Sequence, residues 1–181
     1  RTIHKNKSLI TVNKKTGKRI AAIIVVHLFG NAAKLDELID LCKKKNIPLI
    51  EDSAGSIGTF YGSGKFKNKH TGTVGHIGCL SFNGNKIITS GGGGSIVTND
   101  EIIANKAKHL TTTAKKPHPY EYFHDELGYN FRMPNLNAAL LVAQLEQLDF
   151  FIKNKREIAL KYEDMFNSFS DFDFLFLFWE I

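Results

Sequence analysis

An acidic pair and a lysine loop are the residues of this chain whose types and order could do chemistry together. Glu51-Asp52 closes the apolar run Ile47-Pro48-Leu49-Ile50, and Lys86 follows in the segment Ser81-Phe82-Asn83-Gly84-Asn85-Lys86. The acid can pair with a pyridine nitrogen, the serine can bind a phosphate, and the lysine amine can attack an aldehyde. These are the groups that a pyridoxal phosphate (PLP) site requires, so their order predicts an enzyme.

Asp52 and Lys86 would have distinct tasks in such a site. A carboxylate beside the pyridine nitrogen favours its protonated form, and the protonated ring can accept carbanion density. Lys86 would bond covalently to the cofactor, be displaced by an amino donor and then move the proton. Each residue also has an ordinary alternative, because a single aspartate often caps a helix and a single loop lysine is usually solvated.

The hydrophobic pattern predicts alternating strands and helices. Arg19 to Val26 is typical of a buried strand, Leu35 to Lys45 of an amphipathic helix, and Leu49-Ile50 of the next strand. This order implies a parallel strand pair with a right-handed crossover. Further on, the chain predicts the following elements: strands at Gly78–Phe82 and Ser95–Thr98, a helix capped by Asp100 that ends near Leu110, and a helical stripe from Pro134 through Leu141, Leu145, Leu148 and Phe151.

Polar residues follow the ends of three predicted strands. His27 follows the first strand, Asp52 closes the second, and the Ser81–Lys86 segment follows the third. In open α/β sheets, ligands bind at the carboxyl ends of the strands. We therefore expect the three groups at one rim, with His27 among the cofactor-binding residues.

The glycine run after the lysine loop has two interpretations. Gly91 to Gly94 could be a flexible linker, but it lies directly before the predicted strand Ser95–Thr98. A close backbone approach to a cofactor fits that position better. The sequence matches neither a Walker loop nor G-x-G-x-x-G, and its histidines lack the spacing of a metal site, so we expect no metal.

Composition sets limits on the class of protein. The chain has 181 residues, 43% of them hydrophobic, which is enough for one sizeable core. The net charge is +6, but the lysines are dispersed, so we expect no nucleic-acid partner. Cys42 and Cys79 are predicted to be reduced and buried, and no stretch is long and apolar enough for a membrane span. These features favour a cytoplasmic protein without a membrane partner.

Residues 20 to 165 resemble the PLP-dependent nucleotide-sugar aminotransferases, whose fold is similar to that of aspartate aminotransferase (fold type I). The stretches that carry the resemblance are Val26-His27-Leu28-Phe29-Gly30, Glu51-Asp52-Ser53-Ala54, Gly72-Thr73, Gly78-Cys79-Leu80-Ser81-Phe82, Lys86, Gly92-Gly93-Gly94, Val97-Thr98-Asn99, Gly128-Tyr129-Asn130-Phe131-Arg132-Met133, Asn137-Ala138-Ala139 and Gln144-Leu145. The sequence from Ser81 to Ile88 most resembles that of the subgroup that aminates UDP-linked 4-keto-6-deoxy sugars for bacillosamine- or legionaminic-type surface glycans.

The resemblance implies a role for each matching residue. Lys86 would be the Schiff-base lysine, Asp52 the partner of the pyridine nitrogen, and Ser81 a phosphate ligand. Asn130 would reach the phosphate of the cofactor in a neighbouring subunit, which makes a homodimer the active unit. The resemblance also implies glutamate as the amino donor and a nucleotide sugar as the acceptor.

The resemblance also implies the fold class and its division into parts. We expect an α/β fold with three layers and a mainly parallel sheet. Residues 1–133 would belong to the PLP-binding large domain, residues 134–166 to connecting helices, and residues 167–181 to the truncated start of a small domain. The chain starts at Arg1 without methionine and ends after the aromatic run Phe172–Trp179, which predicts an incomplete chain with exposed apolar surface.

The chain departs from the family at one position near the acid. Many members carry glutamine three residues after the aspartate, where it contacts the cofactor's 3-hydroxyl, and Gly55 occupies this position here. Ser53 and Ser56 are the candidate substitutes. The amino-terminal phosphate loop and the stacking aromatic of the family are also missing. The alternative hypothesis is therefore an inactive fragment, or a PLP-fold regulatory protein that binds without turnover.

Overall fold

A computed structural model describes residues 2–5 and 8–168 of the chain. Its strands are β1 (Thr2–Lys5), β2 (Ser8–Thr11), β3 (Ile23–Val26), β4 (Leu49–Asp52), β5 (Ile77–Ser81) and β6 (Gly94–Val97). Its α-helices are α1 (Asp36–Lys45), α2 (Glu101–Thr111), α3 (Asn135–Leu145) and α4 (Leu148–Asn167). Short 3₁₀ turns lie at Leu28–Gly30 and Gly64–Phe66.

A four-stranded sheet in the order β3-β4-β5-β6 forms the centre of the fold. The β3-β4 and β4-β5 pairs are parallel, and β5-β6 is antiparallel. The register places Val26 beside Asp52 and Asp52 beside Cys79. The predicted α/β class with a mainly parallel sheet is therefore confirmed. A separate antiparallel pair joins β1 and β2.

Helix α1 covers one face of this sheet. Its apolar side packs Leu35, Ile39 and Cys42 against Leu49 of β4, and all four residues are buried. Acidic residues occupy the first turn of α1 and lysines the last, as the helix dipole favours. Asn46 ends the helix in the left-handed conformation with φ 50°, which asparagine tolerates better than most residues. The helix thus ends where β4 must begin.

The opposite face of the sheet is open in the described part of the chain. Ile24 and Val26 point to this face and are 65% and 50% exposed, and Ile96 of β6 is 49% exposed. Residues on alternate positions of the same strands, such as Leu49, face α1 instead. Side chains that project from the open face are therefore accessible.

The elements differ from the sequence prediction mainly at their ends. The strand predicted from Arg19 is regular only from Ile23, because Arg19 and Ile20 pair with the end of β2 instead. The predicted cap of α2 is confirmed, since the Asp100 carboxylate accepts hydrogen bonds from two backbone N–H groups of the first turn. None of the described helices is long and apolar enough to cross a membrane.

The predicted stripe from Pro134 to Phe151 is divided between two helices. A turn at residues 146–147 lies between α3 and α4, so the two helices are separate. Leu141 is buried, whereas Leu145 is 47% exposed. The 3.6-residue period continued through the break, so the sequence pattern did not reveal it. The aromatic run Phe172–Trp179 lies outside the described residues, and its exposure stays a prediction.

Gly78 of β5 is expected to be intolerant of any side chain. A Cβ at this position would overlap the carbonyl oxygen of Gly72, whose loop crosses directly over the strand. We expect Gly78→Ala to lower the free energy of unfolding by about 2–3 kcal/mol in urea denaturation, as overpacking does. Gly92→Ala is the matched control, because Gly92 has open space and an ordinary φ. Equal stability of the two variants would contradict this packing.

Candidate functional site

Asp52 ends β4 with its carboxylate on the open face of the sheet. The Ala54 N–H donates to Asp52 Oδ1 at 3.1 Å and holds the carboxylate at the strand end. Burial raises the pKa of the Cys79 thiol on the paired strand, and the negative charge of Asp52 raises it further. Ser81 lies two residues beyond Cys79 on β5 and so projects from the same face. The acid and the serine therefore share one accessible surface at the carboxyl edge.

The Lys86 loop begins at Ser81 and turns at the same edge. The Asn83 N–H donates to Ser81 Oγ at 3.4 Å, and the Lys86 N–H donates to the Asn83 carbonyl at 3.0 Å. The two ends of the loop are joined by a hydrogen bond, in which the Phe82 N–H donates to the Gly93 carbonyl at 3.0 Å. Lys86 itself is half-buried. The loop therefore starts and ends beside the carboxyl end of β5.

Helix α3 braces the second half of this loop. Asn137 Nδ2 donates to the Ser90 carbonyl at 2.5 Å, and the Thr89 N–H donates to Gln144 Oε1 at 3.4 Å. Between these two contacts, Leu141 packs with the buried side chains of Phe82 and Ile88. Asn137, Leu141 and Gln144 of α3 thus hold the second half of the lysine loop in place.

The glycine run forms the turn from the lysine loop into β6. Gly91 and Gly93 have φ of 79° and 91°, a conformation that side chains with a Cβ rarely adopt. Gly94 lies in β6 against the Leu80 carbonyl, where a Cβ would be 2.5 Å from the oxygen. The linker interpretation is therefore wrong, and the predicted approach of this backbone to a cofactor stays a prediction.

Glu51 is the residue beside the strand-end site whose structural importance the sequence did not reveal. It points to the opposite face from Asp52, is fully buried, and accepts five hydrogen bonds from described residues. Oε2 accepts from His27, the Tyr61 hydroxyl and the Gly72 N–H, each at 2.9 Å, and Oε1 accepts from the N–H groups of Val74 at 2.7 Å and Gly75 at 2.5 Å. A single carboxylate thus joins two strands and two loops.

These hydrogen bonds set the charge state of Glu51. Burial raises its pKa, but hydrogen bonds from His27, the backbone of Gly75 and Gly72, and Tyr61 outweigh burial and lower it to about 2. Burial also raises the pKa of the Tyr61 hydroxyl, and the charge of Glu51 raises it further. Glu51 is therefore ionised and Tyr61 a hydrogen-bond donor throughout the neutral range.

His27 lies inside the fold rather than on the open face. Its Nε2 bonds Glu51, and its Nδ1 accepts a hydrogen bond from the Ala33 N–H at 3.0 Å. Because Nδ1 is an acceptor, the ring carries its proton on Nε2 and is neutral. The predicted contact of His27 with a cofactor would require the ring to leave both partners.

The other residues named from the sequence lie in different surroundings. Asn130 is exposed and forms a bridge with Thr112, in the segment after α2. Ser53 and Ser56 are fully buried, and Ser56 Oγ bonds Thr71 Oγ1 at 2.8 Å. Neither serine is accessible on the open face as a substitute for the family's glutamine. Gly55 is exposed, and its Cβ position touches nothing closer than 4.0 Å.

One cluster outside this site has the composition of a metal site. The side chains of His109, Asp125 and Glu126 bring potential ligand atoms within 4.8 Å of one another. Their carboxylates are already ion-paired, Asp125 with Lys116 at 3.0 Å and Glu126 with Lys106. The ion pairs of this cluster therefore connect α2 to the segment that follows it. Nearby, Lys115–Pro119 line an open depression of about 580 Å³ that contains none of the predicted site residues.

The α/β fold with its mainly parallel sheet is of the PLP-transferase type. Residues 3–175 match the DegT/DnrJ/EryC1/StrS aminotransferase family. The chain belongs to this family.

Its relatives include proteins with named activities. The chain is 44% identical over 151 residues to the "Putative pyridoxal phosphate-dependent aminotransferase EpsN" of Bacillus subtilis (strain 168). This match covers 83% of the chain and 37% of the relative. The chain is 41% identical over 161 residues to the "GDP-perosamine synthase" of Escherichia coli O157:H7, covering 89% and 43%. The chain thus spans about two fifths of the length of the relatives it matches.

A solved structure supports the fold assignment. The chain is similar to Helicobacter pylori PseC, an aminotransferase involved in the biosynthesis of pseudoaminic acid, with a TM-score of 0.77 and 29% identity. The match covers 87% of the chain and 41% of PseC. The central sheet and its flanking helices are therefore those of the PLP-dependent aminotransferases.

The ionised Glu51 predicts a loss of stability in acid. Its pKa of about 2 in the folded state lies below the ordinary value of 4.5, so its contribution is complete above pH 4.5 and is lost as the pH falls towards 2. We expect about 3 kcal/mol of the free energy of unfolding to depend on this group. Urea denaturation between pH 7 and pH 3 should show a loss of about 2 kcal/mol of this contribution, because the folded-state pKa lies below that range, and Glu51→Gln should flatten the profile. Glu157→Gln, on the exposed surface of α4, should leave the profile unchanged.

Proposed function

We propose that the full-length protein is a PLP-dependent aminotransferase that transfers an amino group, with glutamate as the donor, to a 4-keto-6-deoxy nucleotide sugar for surface-glycan biosynthesis. The observation that carries the proposal is the placement of Asp52 and Ser81 on one accessible sheet face, at the edge where the Lys86 loop begins. The family supports the cofactor and the reaction type.

The residues present fit the cofactor. Asp52 offers a carboxylate with one oxygen held by Ala54, and Ser81 offers a hydroxyl one strand away. The surrounding face is apolar at Ile24 and Val26, which suits the side of a planar ring. When bound, PLP supplies a protonated ring that accepts electron density. Asp52 keeps the ring nitrogen protonated, because the charge pair favours the ionised form of both partners.

Lys86 carries the proton chemistry in this proposal. Its Nζ would hold the cofactor covalently, and once free it would take the proton from the α-carbon of the amino donor. Hydrogen bonds at the Asn83 and Ser90 carbonyls restrain the backbone of the loop on both sides of Lys86, and so limit how far the Lys86 amine can move. Asn130 is proposed to contact the cofactor phosphate of a neighbouring subunit, so the active unit is a homodimer.

The substrate class follows from the relatives and the family resemblance. Two of the similar proteins are named for the sugars perosamine and pseudoaminic acid, and the first sugar is linked to GDP. We therefore infer a nucleotide sugar as the acceptor, with a UDP or GDP carrier, and a cytoplasmic site of action. The alternative is a PLP-fold protein that binds without turnover. Asp52 and Lys86 are both present, which favours the enzyme.

Covalent trapping tests the lysine assignment. We expect added PLP to give a visible absorbance band with the full-length protein, and borohydride reduction to fix the cofactor on Lys86, as peptide mass mapping would show. Lys86→Ala should lose turnover completely but keep measurable non-covalent PLP binding, because Asp52 and Ser81 remain. Lys155→Ala, an exposed lysine on α4, is the control and should behave as wild type. Turnover by Lys86→Ala would refute the assignment.

Substitution of the acid tests the role of Asp52. We expect Asp52→Asn to lower kcat by about three powers of ten or more, about 4 kcal/mol of barrier, because the ring loses its charged partner. PLP should still bind, since the amide keeps the shape and one acceptor oxygen. Steady-state kinetics and a PLP titration separate the two effects. Asp149→Asn on the surface of α4 serves as the control, and a larger loss in PLP affinity than in kcat would contradict the assigned role.

A further inference from the structure

The buried Glu51 carboxylate connects the supports of both residues that would hold the cofactor. On one side it bonds His27, which follows β3, and on the other it bonds the backbone of Gly72, Val74 and Gly75, which leads into β5. Asp52 is the next residue on the same strand and points to the opposite face. Glu51 thus touches structures on both sides of β4.

His27 transmits this contact to the backbone of Asp52. Its ring bonds Glu51 through Nε2, while its own backbone N–H donates to the Asp52 carbonyl at 3.0 Å. The Ala33 N–H fixes the ring from the other side. The ring position set by Glu51 therefore also sets where the end of β4 is held against β3.

The loop of Gly72 to Gly75 transmits the contact to β5. It is bound to Glu51 through three N–H groups, and it packs on Gly78 so closely that no Cβ fits there. Ser81 lies at the other end of the same five-residue strand. The lateral and lengthwise position of β5, and with it that of Ser81, depends on this loop.

The charge of Glu51 makes the arrangement sensitive to small changes. The carboxylate is fully buried, and the partners that the structure describes for it are neutral groups: an imidazole, a hydroxyl and three backbone N–H groups. A buried charge without a cation is tolerated only when its hydrogen bonds are complete. An amide at this position would present N–H donors to backbone donors, and the loops would separate from the strand.

The geometry points to Glu51 as a positioning residue that fixes the spacing between Asp52 and Ser81, and so matches the protein to a ligand that occupies both at once. This inference rests on the proposed function. A ligand that reaches both residues benefits from correct spacing, whereas one that reaches only Asp52 does not. Loss of Glu51 should therefore weaken the two kinds of ligand unequally.

PLP and pyridoxal, which lacks the phosphate, provide this pair of ligands. The test titrates the full-length protein with each compound by absorbance, for wild type and Glu51→Gln. We expect Glu51→Gln to weaken PLP about tenfold, within the range of couplings between packed neighbours, and pyridoxal less than about twofold. A residue that only stabilised the fold would weaken both ligands alike.

Two further variants keep the result decisive. Tyr61→Phe removes one of the donors to Glu51 and leaves the others, so it should fold if Glu51→Gln does not and should weaken PLP selectively by about threefold. Thr11→Val removes a part-buried hydrogen bond to the Lys45 carbonyl that involves neither Glu51 nor the residues bonded to it, and it should leave both affinities unchanged.

Two outcomes separate this inference from the proposed function. Wild type that binds PLP, with variants that weaken both ligands equally or neither, overturns the positioning role alone. Wild type that binds no PLP overturns the proposed function itself and the inference with it.

Discussion

The hydrogen bonds around Glu51 are the constraint on which the centre of this fold depends. Burying a carboxylate without a neighbouring cation is costly, and the chain offsets this cost with backbone N–H groups, one imidazole and one hydroxyl. Those donors belong to segments that are distant in sequence but converge on β4. The Glu51 carboxylate is held in position by all of these donors together, so the position of each donor segment depends on the others. The loop of Gly72 to Gly75 would otherwise leave three N–H groups without acceptors in the interior.

Two adjacent acids on β4 have opposite environments because a strand alternates its faces. Glu51 faces the core and is bonded by the protein, whereas Asp52 faces the open side, with one described hydrogen bond from Ala54. The first acid fixes structure, and the second is available to a ligand. A shift of register by one residue would exchange the two roles, so the pairing of β4 with β3 and β5 is a condition of the site.

The sequence predicted the α/β class and the strand-end position of Asp52 and Ser81, because hydrophobic runs and the residues that follow them are local features. It did not reveal the role of Glu51, since its partners His27, Tyr61 and Gly72 lie far apart in the chain and come together only in the fold. The break between α3 and α4 was missed for a related reason, as the apolar period continues through it. The buried positions of Ser53 and Ser56 likewise depend on how the loop folds back rather than on residue type.

The antiparallel direction of β6 has a consequence for the evolution of the lysine segment. In a parallel arrangement, the chain after β5 would need a long crossover to the opposite edge of the sheet before the next strand could begin. Because β6 runs back beside β5, both ends of the segment are anchored one strand spacing apart, about 4.8 Å. Insertions or deletions in the exposed part of the segment, between Asn83 and Asn85, would change the shape of the loop but not the edge of the sheet at which it lies. The position of Lys86 along this edge can thus change without any change in the order of the strands.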